Sequence, residues 1–234
     1  MKISIITLFP KMIKGFFEES IVKRAVEKKL VEIEIINLRD FAIDDYGTVD
    51  DRPYGGGAGM ILRIEPLVNS LKTVFKEDSL LEGQSSRRTV LTSPKGKQFS
   101  QERAQEYSKL NHLVIIAGHY EGVDERVLNY IDEEMSMGDF IMTGGEITAA
   151  AITDSVVRLI PGVLKKKEAT IEETFNINKK KLLEYPQYTR PEIFKGFKVP
   201  KVLLGGNHKE IETWRLKKAK EETCKKRPDL LKST

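Results

Sequence analysis

The stretches Gly118-His-Tyr-Glu-Gly-Val-Asp-Glu-Arg126 and Ser136-Met-Gly-Asp-Phe-Ile-Met-Thr-Gly-Gly-Glu146 decide the fold of this chain. The apolar run Leu113-Val-Ile-Ile-Ala117 before them is typical of a buried strand, and residues 147–160 after them are typical of a buried helix. Glycine lets the backbone approach a ligand closely or adopt a positive φ. One glycine alone would indicate a tight turn. The five glycines between strand and helix together indicate a ligand pocket built largely from main chain.

The segments around these stretches alternate between strand and helix patterns. We expect strands at 2–8, 31–38, 89–93 and 113–117, the third ending at Pro94, and helices at 10–29, 64–76, 100–110 and 147–160. The first helix should carry its apolar face on Met12, Phe16, Ile21, Val22, Ala25 and Val26. Such alternation favours an α/β fold with a mainly parallel sheet. Ligands bind beyond the carboxyl ends of such strands, so Ser93 and Gly118 should border one pocket.

The polar segment 40–60 is long for a loop inside a compact domain, and loops of that length are usually functional or disordered. Its run Tyr54-Gly-Gly-Gly-Ala-Gly-Met60 lacks the Lys-Ser/Thr of a phosphate loop and fails the G-x-G-x-x-G pattern. The three histidines are scattered and form no zinc pattern with the single cysteine, Cys224. No G-x-S-x-G elbow is present. These rules leave a pocket of unusual type and no metal site.

The net charge of +4 is unevenly distributed along the 234 residues. Residues 1–160 contain 20 Lys and Arg against 25 Asp and Glu, whereas residues 161–234 contain 19 against 10, a net charge of +9. A basic segment on an acidic body indicates that the C-terminal part meets a polyanion, although a solvated lysine-rich surface has the same composition. We therefore expect an α/β domain at 1–160, a polar linker at 161–177 and a small basic helical domain at 178–234.

The composition also bears on the compartment. No apolar run approaches the ~20 residues that span a bilayer, so we expect no membrane partner. The N-terminal segment 1–10 lacks the long apolar region and cleavage site of a signal peptide. One cysteine excludes an internal disulfide. We expect a cytoplasmic protein.

Six motifs in a fixed order resemble one enzyme family. They lie at 48–60, 118–127, 138–146, 154–163, 185–191 (Tyr185-Pro-Gln-Tyr-Thr-Arg-Pro191) and 204–208 (Leu204-Gly-Gly-Asn-His208). The chain resembles the bacterial tRNA (guanine-N1)-methyltransferases, the TrmD family of the SPOUT superfamily, from Met1 to about Leu231. Several ordered motifs are far more specific than one glycine loop.

The resemblance implies a SPOUT-type parallel sheet whose C-terminal part forms a trefoil knot, which is a rare exception to unthreaded topology. It implies a homodimer that transfers a methyl group from S-adenosylmethionine to N1 of guanosine 37 in tRNA, next to the anticodon. The family's reaction uses magnesium, for which the sequence names no ligands. A SPOUT enzyme with another RNA target and a catalytically silent RNA-binding module remain alternatives.

The resemblance also implies which residues bind the cofactor, largely through main-chain groups. They are Leu91, Thr92, Ser93, Gly118, Tyr120, Glu121, Gly122, Met137, Gly138, Asp139, Phe140, Ile141, Met142, Gly144 and Gly145. This set agrees with the pocket expected from the glycines alone. Glu121 is also expected to meet the cationic end of the cofactor; the alternative is a solvated turn carboxylate.

Arg158 and Glu173 match the family's catalytic positions. A guanidinium would stabilise negative charge on guanine O6 as N1 loses its proton. The alternative for Arg158 is a helix-end ion pair with Asp154 at i−4. Glu173 replaces the family's usual aspartate as the general base, with Glu172 as the rival. Both linker carboxylates could otherwise be ordinary solvated groups.

The resemblance places the substrate-binding residues in two segments: Asp50, Asp51, Arg52, Tyr188 and Arg190. For Asp50 an acidic turn without function is an equal alternative. The basic runs 179–181, 217–220 and 225–227 are expected to contact tRNA phosphates, although each lysine alone is typical of a solvated surface.

Overall fold

A computed structural model of the chain describes residues 1–78, 86–165, 173–177 and 180–231, and leaves side chains 76–78 undescribed. The chain divides into two compact units, Met1–Lys165 and Lys166–Thr234. Each unit is described by itself.

The strands and helices of the first unit alternate along the chain. The strands are β1 (Lys2–Thr7), β2 (Glu32–Asn37), β3 (Asp50–Asp51), β4 (Ile61–Leu62), β5 (Arg87–Gln98), β6 (His112–Ala117) and β7 (Glu133–Ser136). The helices are α1 (Pro10–Phe17), α2 (Ser20–Glu27), α3 (Ile64–Asp78), α4 (Gln101–Tyr107) and α5 (Glu146–Val157), with 3-10 turns at Leu38–Phe41 and Glu125–Tyr130. Five strands form a sheet in the order β2-β1-β6-β5-β7, and every pairing in it is parallel. The predicted α/β class with a parallel sheet is confirmed.

The sheet is covered on both faces, which explains the unbroken apolar run of β6. Every residue of β6 is buried. One face carries a core that includes Ile3, Ile5 and residues of α1, α2 and α5. The other face carries a core that includes Ile6 and residues of α3. Strands buried on both faces are continuously apolar, so the run at 113–117 was a reliable signal.

The helix expected at 10–29 is broken into two, so that prediction is wrong about continuity. Glu19 has an extended backbone and Ser20 has a φ of 55°, so the helical conformation is interrupted at these two residues. The break gives each half its own buried side. Ile13 and Phe17 are buried, whereas Met12 and Phe16, assigned to the apolar face, remain about half exposed.

Strand β5 continues past Pro94 to Gln98, so the predicted end at Pro94 is also wrong. Its pairing with β7 shifts register between Thr92 and Lys97. Proline lies within this irregular part, where its missing N–H removes no regular ladder bond. A Cβ at Gly96 would overlap the backbone of Glu134, so only glycine fits there.

The second unit combines one long helix with a small hairpin. Its elements are β8 (Ile193–Phe194), β9 (Phe197–Lys198) and α6 (His208–Lys226), with 3-10 turns at Lys201–Leu203 and Pro228–Leu231. Ile177, Leu182 and Ala219 form its buried core. The sequence predicted the helix but missed the antiparallel hairpin. Among the residues that the structure describes, no helix is long and apolar enough to cross a bilayer.

Candidate cofactor pocket

A cavity of about 250 Å³ opens at the carboxyl edge of the sheet. It lies between residues 91–95 of β5, the segment that follows β6, the end of β7 with the segment that follows it, and the first turn of α5. Ser93 and Gly118 both line it, as the parallel-sheet prediction required. The cofactor-binding residues expected from the resemblance that line it are Leu91, Thr92, Ser93, Gly118, Tyr120, Glu121, Gly122, Met137, Gly138, Phe140, Ile141, Met142, Gly144 and Gly145. Asp139 is exposed and is not part of the wall.

Hydrogen bonds from the Thr92 hydroxyl and from the main chain join three segments of the pocket wall. The Thr92 hydroxyl donates to the Ile116 carbonyl at 3.2 Å and accepts from the Gly118 N–H at 3.1 Å. The Gly145 N–H donates to the Gly118 carbonyl at 2.6 Å. A Cβ at Gly145 would overlap the Thr92 hydroxyl and lie 2.9 Å from the Gly118 nitrogen. Glycine is therefore required at this position by close approach of the backbone.

The glycine-rich run 54–60 supports the pocket wall from outside. The Glu121 N–H donates to the Met60 carbonyl at 3.1 Å, and the Leu62 N–H donates to the Gly122 carbonyl at 2.9 Å. A Cβ at Gly59 would overlap the Glu121 side chain. The run thus packs on the wall, which explains why it matched neither a phosphate loop nor a dinucleotide pattern.

Charged side chains in the wall were missed by the sequence analysis. Glu125, Glu134 and Lys95 line the cavity with Glu121, and Lys95 Nζ lies 3.2 Å from Glu125 Oε2. The signal for Lys95 was its place directly after the predicted strand end. Three carboxylates against one ammonium make the wall acidic. Such a wall suits a ligand with positive charge.

Asp124 stabilises the turn next to the pocket. Its Oδ1 accepts from the Arg126 N–H at 3.0 Å and so caps the 3-10 turn. The Arg126 guanidinium donates to both carboxylate oxygens, at 2.9 and 2.6 Å. The hydrogen bonds from this side chain hold the pKa of Asp124 below its ordinary value. This pair therefore fixes the segment that follows the wall residues Glu121 and Gly122.

Arg158 lies at the opposite end of α5 from the pocket. The helix begins at the pocket with Glu146, and its 12 residues rise about 18 Å along the axis. The Arg158 N–H donates to the Asp154 carbonyl at 3.1 Å and ends the helix. Arg158 is not part of the wall formed by its own chain.

Glu173 belongs to the second unit, whereas the pocket lies entirely in the first. Glu173 is partly buried, and its carbonyl accepts from the Asn176 N–H at 2.8 Å. The neighbouring Thr174 hydroxyl accepts from the Glu184 N–H at 3.1 Å. The local backbone is therefore held by the second unit. The rival base, Glu172, lies outside the described residues.

The expected substrate residues are divided between the two units. Asp50 and Asp51 form β3, which pairs with β4, and the Asp51 carboxylate accepts from the N–H of the exposed Arg52 at 2.7 Å. In the second unit Arg190 is exposed, and the half-exposed Tyr188 ring lies 6.5 Å from the Trp214 ring.

The basic clusters of the second unit are partly neutralised by acidic neighbours. Lys218 pairs with Glu221 at 2.6 Å, and Arg227 pairs with Asp229 at 2.7 Å. Lys226 pairs with Glu222. Lys180, Lys181, Lys220 and Lys225 are exposed. Lys179, which opens the first basic run, lies outside the described residues.

Among the described residues, no group of three or more His, Cys, Asp or Glu is arranged to hold a metal ion. The expected magnesium therefore has no ligand set in this part of the chain.

A parallel sheet with a glycine-lined pocket beyond its carboxyl edge is the arrangement in which α/β proteins hold small ligands. The chain belongs to the tRNA (Guanine-1)-methyltransferase TrmD family, whose model matches residues 1–233.

Similar proteins cover nearly the whole chain. The tRNA (guanine-N(1)-)-methyltransferase of Dictyoglomus turgidum is 51% identical over 100% of this chain and 91% of its own length. The enzyme of the same name from Carboxydothermus hydrogenoformans is 49% identical over 99% of this chain and 88% of its own. That of Bacillus cereus strain AH820 is 46% identical over 99% and 92%.

Proposed function

We propose that this chain transfers a methyl group from S-adenosylmethionine to N1 of guanosine 37 in tRNA, next to the anticodon, in the cytoplasm. The observation that carries the proposal is the family match along the whole chain, and a glycine-rich pocket at the carboxyl edge of the sheet supports it. Guanosine methylation follows from the family. Position 37 and the cytoplasmic compartment are the parts of the proposal that go beyond the family match.

The pocket residues fit S-adenosylmethionine. Other main-chain groups of the wall can bind the edge of an adenine without long side chains, while Gly118 and Gly145 use their own groups to hold the wall segments together. The bound cofactor supplies an electrophilic methyl group on a positively charged sulfonium. Glu121 and the other acidic wall residues suit the positive charges of its sulfonium and amino groups. We assign the fourteen wall residues named above to cofactor binding.

The reaction needs a base, because guanine N1 holds its proton at neutral pH and attacks a methyl group poorly in that state. We propose that the Glu173 carboxylate takes this proton while N1 forms its bond to the methyl carbon and the carbon–sulfur bond breaks. Loss of the proton places negative charge on O6. The guanidinium of Arg158 then stabilises that charge through its donors.

We propose that the working species is a homodimer with its active sites at the subunit interface, where the pocket of one protomer works with Arg158 and Glu173 of the other. Arg158 lies the length of α5 away from its own pocket, so a second copy of the chain can supply it more directly. The exposed apolar stripe on and before α1, Phe9, Met12 and Phe16, provides a surface for that copy. A trefoil knot in the pocket segments is part of the same proposal.

The tRNA would meet both units. Arg52 is exposed on the loop that supports the pocket wall, and Arg190 and Tyr188 are exposed in the second unit. The +9 segment supplies long-range attraction to the phosphates.

The proposal is tested by methyl transfer from labelled S-adenosylmethionine to tRNA transcripts with guanosine or adenosine at position 37. We expect incorporation only into the guanosine transcript, with 1-methylguanosine as the product after nuclease digestion. Equal labelling of both transcripts would indicate another RNA target. Binding of tRNA without any transfer would indicate a silent RNA-binding module.

A further inference from the structure

A buried carboxylate lies directly behind the pocket wall. Glu146, the first residue of α5, has no exposed surface. Its Oε1 accepts from the Thr7 hydroxyl at 3.0 Å, and its Oε2 lies 3.4 Å from Nδ1 of His119. Burial of a carboxylate is costly unless its lone pairs are satisfied. These two partners, and the N-terminal end of the helix, compensate for that cost.

The proton positions in this group follow from its donors and acceptors. The Thr7 hydroxyl accepts from the Phe9 N–H at 2.9 Å, so its own proton is free to point to Glu146. An ionised carboxylate can only accept. Opposite an ionised Glu146, Nδ1 of His119 is therefore assigned as the donor, and that assignment makes a neutral ring the Nδ1–H tautomer with Nε2 as an acceptor.

His119 connects this carboxylate to the cavity. Its side chain lines the pocket and is 14% exposed. Its ring lies 4.6 Å from the Phe9 ring and 4.8 Å from the Tyr120 ring. Its backbone pairs with Gly144, where a Cβ would overlap both the imidazole and the Glu146 carboxylate. Segments after β1, after β6 and before α5 thus meet at one point.

We propose that Glu146 is a positioning residue for the cofactor site: it fixes the tautomer and orientation of His119 and, through that ring, holds the wall that carries Tyr120. The inference rests on the proposed function, in which this pocket holds S-adenosylmethionine. Glu146 does not line the cavity and acts through His119. Its removal should therefore raise the KM for the cofactor and leave kcat nearly unchanged.

The first variant is Glu146→Gln, which keeps the shape and the acceptor for Thr7. Its amide presents a donor to His119, so the imidazole should change to the Nε2–H tautomer. Long-range ¹H–¹⁵N spectra resolve the three histidines and report the tautomer directly. We expect the change of tautomer together with a rise of about tenfold or more in the cofactor KM, because the bond from the imidazole to the carboxylate is replaced by a weaker neutral bond of opposite direction.

A second pair of variants keeps the test independent of how Glu146→Gln folds. His119→Asn places an amide N–H near the position of Nδ1 and should retain most of the cofactor affinity. His119→Leu removes the donor and should raise the cofactor KM as Glu146→Gln does, and the double variant Glu146→Gln/His119→Leu should be no worse than either single one.

His112 provides the matched control. It is a second buried histidine, bonded through Nε2 to the Ser4 hydroxyl at 2.9 Å, on the same sheet but outside the pocket. His112→Leu should lower the melting temperature without changing the cofactor KM. An unchanged tautomer or an unchanged cofactor KM in folded Glu146→Gln would overturn the inference. Failure of the wild type to bind S-adenosylmethionine would instead count against the proposed function.

Discussion

The two ends of the parallel sheet both carry buried polar side chains, but they use them differently. In the amino half, Ser4 donates to Glu34 at 3.1 Å and bonds to His112, so these groups satisfy one another. At the carboxyl edge, the bonds of Thr92 and Gly145 hold open the walls of a cavity. The first set of bonds should therefore contribute to the free energy of unfolding. The second set should contribute to the affinity of the pocket for its ligand. Variants at the two ends should separate these roles.

The largest effect is expected for Gly145→Ala at the carboxyl edge. The new Cβ would overlap the Thr92 hydroxyl and crowd the Gly118 nitrogen, which would force the wall apart. We expect a loss of roughly 10²-fold or more in S-adenosylmethionine affinity, measured by calorimetry. Gly205→Ala is the control, since its Cβ would meet ordinary contacts of 3.9 Å. Equal affinity in both variants would show that the close approach at Gly145 is unimportant.

Glu173→Gln, which removes the proposed general base, should lower the rate of methyl transfer without changing cofactor affinity. We expect single-turnover methyl transfer to fall by roughly 10²-fold or more, with unchanged cofactor affinity, because the proton acceptor is lost. Glu173→Asp should give an intermediate rate and Glu172→Gln a small decrease. A larger decrease in Glu172→Gln would move the base by one residue.

Removal of the second unit should abolish tRNA binding and leave some S-adenosylmethionine binding. A chain ending at Lys165 keeps the complete pocket wall but loses the basic segment. We expect weak S-adenosylmethionine binding and no tRNA binding, whereas the full chain binds tRNA with an affinity that falls steeply with salt. Retained, salt-sensitive tRNA binding by the shortened chain, measured by filter binding, would contradict this.

The smallest effect on the protein is expected for Tyr107→Phe, because Tyr107 does not line the pocket. The Tyr107 hydroxyl donates to Glu133 at 2.8 Å, and its loss should lower the free energy of unfolding by about 1 kcal/mol with kcat and KM unchanged.

Burial, followed by the bond to Glu133, raises the pKa of Tyr107 above its ordinary value of 10.0. The unfolded chain therefore loses this proton first, and wild-type stability should fall as the pH rises above about 10. The Phe variant should lack this component in melting curves at pH 8–11. A parallel decline in both proteins would exclude Tyr107 as its source.

Local patterns predicted what depends on local residues. The apolar run of β6 and the helix predicted at 100–110 depend on their own segments; Ser100 caps that helix by accepting from the Arg103 N–H at 3.4 Å. The end of β5 was not, because its course past Pro94 depends on the register with β7, which is far along the chain.

The site divides in the same way. The glycines of the wall were recognisable because close backbone approach selects glycine at Gly118 and Gly145. Glu146 and His119 were passed over, since a glutamate after two glycines has the signature of a solvated helix start. Only the fold shows that this carboxylate is buried against Thr7.

The most direct test asks whether the pocket of one protomer works with Glu173 of its partner. Gly145→Ala and Glu173→Gln chains, each strongly impaired as a homodimer at a cofactor concentration that saturates only the wild-type pocket, are co-expressed with different affinity tags and purified as a mixed dimer. We expect about half the activity of the wild-type dimer, because one of the two interface sites is intact. The reciprocal dimer, wild type paired with a Gly145→Ala/Glu173→Gln double variant, should be inactive. An inactive first dimer and a half-active second one would contradict the shared site and place the whole reaction within a single chain.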